Sequence, residues 1–471
     1  MISNDSVMCV DDILAKAIDM VEQNISCYCT QPGVDFTRIR ALPAGILIRF
    51  LIQKQAKALN QELSDFFVSK TPPSASAFCQ QRSKLDPEAL ERVMHLMTEN
   101  IPGTRSFKGY RVFACDGSDV RIPYNPDDTE TFLRNDENSQ GYNQLHLNAL
   151  YDVLNRVYTD AMIDTKQKSH EKGALLDMLK AHNLPAKTII TADRGYESYE
   201  LLAYMLENSI HFAIRIKDIF SSGILSAIDL PDEEFDRDIT RILTRSQTKE
   251  IKQNKQKYVF LPANVNFSYL DFNHPFYNMT FRVVRFKITD DTYECLVTNL
   301  PKDEFSITEL KELYHMRWEI EGAFRHLKYD TNMVYFNSVK QKNARQEIYA
   351  ALIMYNYTQL LINAVPVEKD GRKWAYQIAF KPAVTNARLF LKKLITAKAF
   401  IDRIKNFLSP VRPGRKFKRN IKSQPARLSL YSVSAGQKGP FCARRKRPIS
   451  AERKRPTRQV HYSKCFLLTS Y

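Results

Sequence analysis

The sequence predicts an α/β protein: a mixed sheet with a β-rich insertion, preceded by an all-helical N-terminal domain and followed by a disordered basic tail. Three observations carry that reading. Residues 1 to about 100 hold amphipathic stretches near 8–23, 43–58 and 87–99, broken by Pro32-Gly33 and Pro72-Pro73. From residue 110 the texture changes to short β-rich apolar runs that end at carboxylates. In the last 50 residues the composition turns polar and basic, with ARRKRP and AERKRP as near repeats, too poor in apolar side chains to offset the entropy of folding.

With 471 residues the chain can bury a large core and implies roughly two to four domains. Its net charge of +17 points toward a polyanionic partner, but the position of that charge matters more than its size. From residue 410 onward 17 Lys and Arg face Glu452 alone, so the first 409 residues, with 52 basic and 51 acidic side chains, are nearly neutral. The tail therefore offers a diffuse, salt-sensitive attraction, and any grip by the folded part needs local patches. Eight scattered cysteines, without a C-x2-C pair, suit a reduced compartment better than a disulfide framework, and no secretory signal opens the chain. The charge-free stretch Ile348–Val367 contains Asn356, Gln359 and Asn363 and reads as a buried helix rather than a membrane span.

Within the helical region (1–104), SASAFCQQRSKL is distinct. Ser74 or Ser76 can cap it, and Gln80, Gln81, Arg82 and Lys84 form a polar, basic face suited either to a major groove or to plain solvent. Next, YRVFAC at 110–115 reads as a strand stopping at Asp116-Gly117. Strands are expected around Gln144–Asp152 and Arg156–Ile163, then a helix from near His170. The β-branched run Thr188–Thr191 ends at Asp193, Gly195 permits a tight turn, and Ser198–Leu206 resumes helical periodicity. Two aspartates thus fall just past the carboxyl ends of hydrophobic strands, where ligands gather in open α/β sheets. Asp119 reads as a turn residue, with crowding of the acids as the alternative. The region 105–217 is the first part of this core.

Residues 218–304 look strand-like, with YVFL, TFRVVRFKI and YECLVTNL, and the 127 residues between Asp193 and Glu321 imply an inserted domain. Arg241–Lys257 holds six cations against Glu250, either a strip for phosphate or a solvated loop. The second part of the core, 305–410, opens on SITELKELYHMRWEIEGAFRHLK, Ser306–Lys328. Ser306 and Glu309 form a capping box, and a single helix is expected. At about 100° per residue Tyr314, Arg317, Glu321 and Lys328 share an arc of roughly 60°. A solvated face with four-residue ion pairs has the same spacing, but Ile307, Leu310 and Phe324 extend the stripe, and a carboxylate beside apolar groups needs a cation.

This Tyr-x2-Arg-x3-Glu-x6-Lys string, with CDGSDV at 115–120 and ADRGYES at 192–198, resembles the DDE transposases of the insertion-sequence-4 group, over roughly residues 70–420. The resemblance implies a ribonuclease-H-like catalytic core. Asp116, Asp193 and Glu321 would be the catalytic acids and the ligands of two Mg²⁺ ions, for which Mn²⁺ can substitute, since carboxylates suit hard cations and an ion pair can clamp both oxygens in phosphodiester attack. It also implies an N-terminal domain that binds double-stranded DNA at the element's ends, which favours the DNA reading for Gln80, Gln81, Arg82 and Lys84. Arg317, Lys328 and Tyr314 would contact phosphates near the acids. The structural alternative makes Tyr314 and Trp318 core aromatics, and for Trp318 it is the favoured reading.

Further implications are terminal-repeat binding, cleavage, joining of 3′-hydroxyl ends to target DNA, a homodimer on DNA, and a cytoplasmic, nucleoid-associated location. No nucleotide cofactor is expected, as G-x4-G-K-[ST] is absent. The chain departs from the family in the insertion: its two tryptophans, Trp318 and Trp374, lie elsewhere, so a base-stacking residue there must be Phe or Tyr. RPGRKFKRN at 412–420 still matches how family members close. The basic tail, assigned to 411–471, reads beyond that point as a frame-shifted ending foreign to the fold.

Overall fold

The computed structural model describes residues 4–412 apart from 39–40, 100, 102, 138–139, 166–169, 183, 290–291, 369–370 and 372. Residues 413–471, where nearly all of the expected tail falls, lie outside the described residues.

Five helices open the chain. α1 (Asn4–Gln23) buries Val7, Val10, Leu14, Ala17, Ile18 and Val21, a stripe recurring every three to four residues that faces the core. α2 (Ala44–Gln53) follows Pro43 and is buried nearly all round. After α3 (Leu59–Phe66), α4 (Ala75–Arg82) begins where the Ser74 hydroxyl accepts the Ala77 N–H at 3.2 Å, and α5 (Glu88–Glu99) completes the set.

β1 (Arg111–Ile122) is longer than expected. It does not stop at Asp116, because residues 116–122 pair antiparallel with the later strand at 142–152 and so remain extended. A short β2 (Phe132–Leu133) precedes that partner, β3 (Tyr142–Asp152), which pairs on with β4 (Val157–Thr165). α6 (Glu171–Ala181), capped by the His170 ring, leads to β5 (Thr188–Ala192), then α7 (Tyr199–Glu207) and β6 (His211–Ile216). β1, β5 and β6 run parallel, while β3 and β4 continue antiparallel on the other side of β1. The order β4-β3-β1-β5-β6 with these directions is that of a ribonuclease-H-like sheet.

The β-rich stretch does not close a sheet of its own. β7 (Phe235–Thr244), the short α8 (Lys249–Gln253), β8 (Tyr258–Phe260), β9 (Phe276–Thr289) and β10 (Thr292–Thr298) follow, and β10 pairs antiparallel with β6. One ten-stranded sheet results, continuing β6-β10-β9-β7-β8. Its apolar side chains enter the same cluster as the central strands, with Phe281, Val283, Cys295 and Val297 packed among Phe113, Ile190 and Phe212.

The helix expected from Ser306 starts as predicted, since Ser306 and Glu309 exchange both capping-box bonds. It is not continuous. α9 (Ile307–Met316) is followed by a tightened turn in which the Arg317 and Trp318 N–H groups bond three residues back, then α10 (Glu319–Arg325) and a π-helical turn, His326–Asp330. α11 (Gln341–Asn363) is almost wholly buried, as expected for its charge-free half, and no described helix is long and apolar enough to cross a membrane. The segment after Lys328, for which the sequence predicts helix through about residue 408, is not all helix. β11 (Ala375–Ile378) and β12 (Leu408–Val411) form an antiparallel ribbon around α12 (Phe380–Leu391) and α13 (Ala397–Lys405).

Both faces of the central strands are covered, which explains their unbroken apolar runs. One core gathers the N-terminal helices, α9, α10 and the C-terminal helices; the other gathers α6, α7 and the added strands.

Candidate active site

The parallel register pairs Cys115 with Ala192, the last such pair between β1 and β5. Both face the α6–α7 core, so alternation turns the next residue of each strand, Asp116 and Asp193, to the opposite face. That face carries α10, whose exposed Glu321 is the third acid. The Asp193 carboxylate accepts the Gly195 N–H at 2.7 Å, and Asp116 accepts that of Gly117 at 2.9 Å. Burial pushes Asp116 up to about 6, with Asp193 and Glu321 adding to the rise and Arg317 and the Gly117 N–H opposing it. The three acids therefore lie close enough to feel one another, although their oxygens do not converge within 4.8 Å.

Arg317, 4% exposed, stands between two of them, with its guanidinium nitrogens 3.7 Å from Asp116 and 3.5 Å from Glu321. Those distances are long. Elsewhere in the protein Arg282 closes on Asp236 at 2.8 and 2.7 Å, a bidentate fork. Asp116 and Glu321 thus share one buried arginine, paired with both at the long end of the ion-pair range and hydrogen-bonded to Glu321. Burial works against the Arg317 charge, yet Tyr314, Asp116 and Glu321 together raise its pKa.

Tyr314 is buried, its hydroxyl is enclosed, and burial pushes it up to about 12. Tyr314 and Arg317, expected at phosphates, are both buried here. Lys328 reaches back to β1, donating to the Asp119 carbonyl at 2.7 Å; burial lowers its pKa and Asp119 opposes this. Trp318 is 39% exposed and stacks on Arg317, at 4.8 Å to its ring, so the expected core position does not hold.

The other expected DNA contacts separate. Arg82 is a core residue: its guanidinium meets Gln346 and the Asn343 carbonyl, both at 2.7 Å, and Glu347 at 2.9 Å, all on α11. Its assignment to a DNA-reading face is corrected on that ground. Gln81 donates to the Leu42 carbonyl at 3.2 Å and Lys84 lies 3.4 Å from Asp35, whereas Gln80 is exposed. In the basic strip, Arg241 is buried against the carbonyls of Ser226 and Lys255, and Arg245 bonds those of Pro262 and Val265; Lys249, Lys252, Lys255 and Lys257 are exposed.

Asp119 is not a turn residue. It lies within β1 opposite His146 on β3, whose Nδ1 is 2.7 Å from its carboxylate. Three positions from Asp116, it faces the other side of the sheet. There His146 Nε2 is 3.5 Å from Glu171, the first residue of α6. A Cβ at Gly117 would lie 2.6 Å from His146 Nε2 and 2.8 Å from Glu171, so glycine is what admits this pair beneath the acids. His146 and Glu171 escape sequence reasoning because only the β1–β3 register reveals them. The nearest signal was the acid at the start of the helix near residue 170.

One acid where β1 leaves its parallel pairing with β5, a second just past the end of β5 and a third on a facing helix, within this strand order, are laid out as in a ribonuclease-H-like core. The chain belongs to the transposase DDE domain family, whose description matches residues 107–357, more than half of it. No curated protein is a detectable sequence relative. Among solved structures it is similar to a piggyBac transposase synaptic complex with hairpin DNA, at 13% identity and a TM-score of 0.42 over 87% of each chain. The family is one of divalent-metal-dependent enzymes. The donor set fits such ions: three carboxylates supply hard oxygens, and the nearest cation to Asp116, Arg317, stands 3.7 Å off.

Proposed function

We propose that this protein is a DNA transposase of the insertion-sequence-4 type. It binds terminal inverted repeats, cleaves phosphodiester bonds at the element ends and joins the resulting 3′-hydroxyls to target DNA, as a homodimer on DNA. The observation that carries the reading is the Cys115–Ala192 register, which sets Asp116 and Asp193 side by side on the face that bears Glu321. Asp116, Asp193 and Glu321 would hold two Mg²⁺, which when bound supply Lewis-acid stabilisation of charge on the entering and leaving oxygens.

The protein's own groups set up that charge. Arg317 holds Asp116 and Glu321 in one field at a stand-off, so neither is neutralised outright. Lys328 fixes the end of the helical segment to β1. Of the aromatics in the β-rich stretch, Phe220, 78% exposed just past the carboxyl end of β6 on the side of the acids, is the candidate this reading takes for stacking on a base. Phe272 precedes β9, which runs parallel to β6, and so lies toward the opposite end.

The test is cleavage of DNA carrying the repeats that flank the gene, with Mg²⁺, by the native chain and by Asp116→Asn. Native cleavage, and its loss with end binding retained in the variant, is the expected result. Cleavage by Asp116→Asn equal to native defeats the three-acid reading, and end binding without any cleavage by the native chain leaves a DNA-binding regulator. Joining of a pre-cut 3′-hydroxyl end to plasmid DNA separates a transposase from a nuclease that only cuts.

A further inference from the structure

A second constellation of ligating side chains lies away from the acids, where helices from both faces of the sheet meet its edge. β4 pairs only with β3 and forms that edge. Its register slips beside Asp160: Tyr151 faces Tyr158 while Leu150 faces Asp160, leaving Thr159 as an extra residue. Such a bulge re-aims the neighbouring side chain. Here the Asp160 carboxylate, on a residue 4% exposed, is turned between two imidazoles. His95 comes from α5, in the core of the N-terminal helices, and its Nε2 lies 3.0 Å from Asp160 Oδ1. His182 ends α6, in the opposite core, and its Nδ1 lies 3.0 Å from Oδ2.

Two imidazoles and one backbone amide converge on this single carboxylate. Asp160 Oδ1 also accepts the Ala161 N–H at 2.7 Å, and the His95 contact has hydrogen-bond geometry. His182 Nδ1, buried, is equally close to Oδ2, so a second imidazole engages the same carboxylate from the other core. One atom from each of the three residues lies within 4.8 Å of the others, the only such grouping among the described residues. Nitrogen and oxygen ligands of one tetrahedral zinc, each about 2.0–2.1 Å from the ion, sit little more than 3 Å apart. Glu91 adds negative charge beside His95 but is engaged by the Tyr349 hydroxyl at 3.1 Å.

We propose that His95, Asp160 and His182 form a structural site for a borderline divalent transition metal, of which zinc is the type. Two imidazoles and one carboxylate match that class and not Mg²⁺, which takes all-oxygen shells. The site is chemically separate from the carboxylate centre. Its effect is mechanical: the ion clips α5 and α6 across the edge strand, joining the two layers that flank the sheet.

The experiment is calorimetric titration of the full chain with Zn²⁺ after chelator treatment, in excess Mg²⁺, comparing native protein with His95→Ala, His182→Ala and Asp116→Asn. Removing even a second-shell partner of a metal ligand costs about 10- to 100-fold in affinity. Each histidine variant should therefore lose one zinc equivalent or weaken it at least 100-fold, while Asp116→Asn keeps it. His182 is partly exposed, so its variant folds even if His95→Ala does not. Equal zinc uptake by native and His182→Ala protein would overturn the site, as would no zinc uptake by the native chain; zinc held elsewhere, the carboxylate centre included, is common to native protein and the two histidine variants and cancels between them.

Discussion

Replacing Arg82 with alanine distinguishes a core residue from a DNA reader. Arg82 is 2% exposed and makes three contacts with α11, to Gln346 Oε1, the Asn343 carbonyl and Glu347 Oε1. Truncation strips donors from two buried neutral acceptors and removes one of two cations from Glu347, whose other oxygen keeps Lys54 at 2.8 Å. Each unsatisfied buried acceptor costs about 1–3 kcal/mol, and breaking a buried ion pair from one side typically costs about 3–5 kcal/mol. Because Lys54 remains, the expected loss is about 3–5 kcal/mol in all, near the ion-pair figure rather than the sum. That is roughly two to three and a half decades in the folded-to-unfolded ratio.

Denaturant unfolding followed by circular dichroism measures it, as a lower midpoint at unchanged slope. Exposed Gln80→Ala is the control, expected within about 0.5 kcal/mol of native. The double variant Arg82→Met with Glu347→Gln should lose less than the two single losses added, because the charge left behind by either change is then gone. A variant Arg82→Ala with native stability and weakened end binding refutes the reasoning and returns Arg82 to the DNA.

Three more outcomes are expected. Gly117→Ala forces a methyl to within 2.8 Å of His146 and Glu171, and should cost about 1–3 kcal/mol in unfolding experiments while lowering cleavage, because it sits next to Asp116; an unperturbed enzyme would show that this pair moves aside freely. Lys328→Met removes a bond to the Asp119 carbonyl and a charge near the acids; the expected loss is in cleavage rate, with stability lowered by only about 1 kcal/mol, and a cleavage rate equal to native rules it out. Deleting residues 425–471 should leave cleavage intact and flatten the salt dependence of DNA binding, read from affinities at two salt concentrations; loss of folding would refute the view that this segment is foreign to the fold.

Much of the candidate site was legible because it rests on local rules. Asp116 and Asp193 follow apolar β-branched or aromatic runs, and Ser306 with Glu309 marks a helix start at short range. What was hidden depends on which partner each segment meets. Gly117-Ser118-Asp119 reads as a turn by propensity, and only pairing with Asn148, Leu147 and His146 keeps it extended. The polar face of α4 looked solvated or DNA-facing until α11 supplied Glu347 and Gln346, which make Arg82 an internal residue. Trp318 shows the converse: burial was expected from residue type, but the tightened turn after α9 leaves it partly in solvent. The pairing of β10 with β6 joins segments some 80 residues apart and leaves no local mark.

That pairing bears on any attempt to trim the protein. Excising 218–304 and splicing the cut ends would strip β6 of its outer neighbour and leave a row of unsatisfied amides and carbonyls. It would also remove Phe281, Val283 and Val297 from contact with Phe212 and Ile214, baring an oily wall next to Asp193. A miniaturised version must therefore keep the outlying strands or cap the raw margin with a designed substitute.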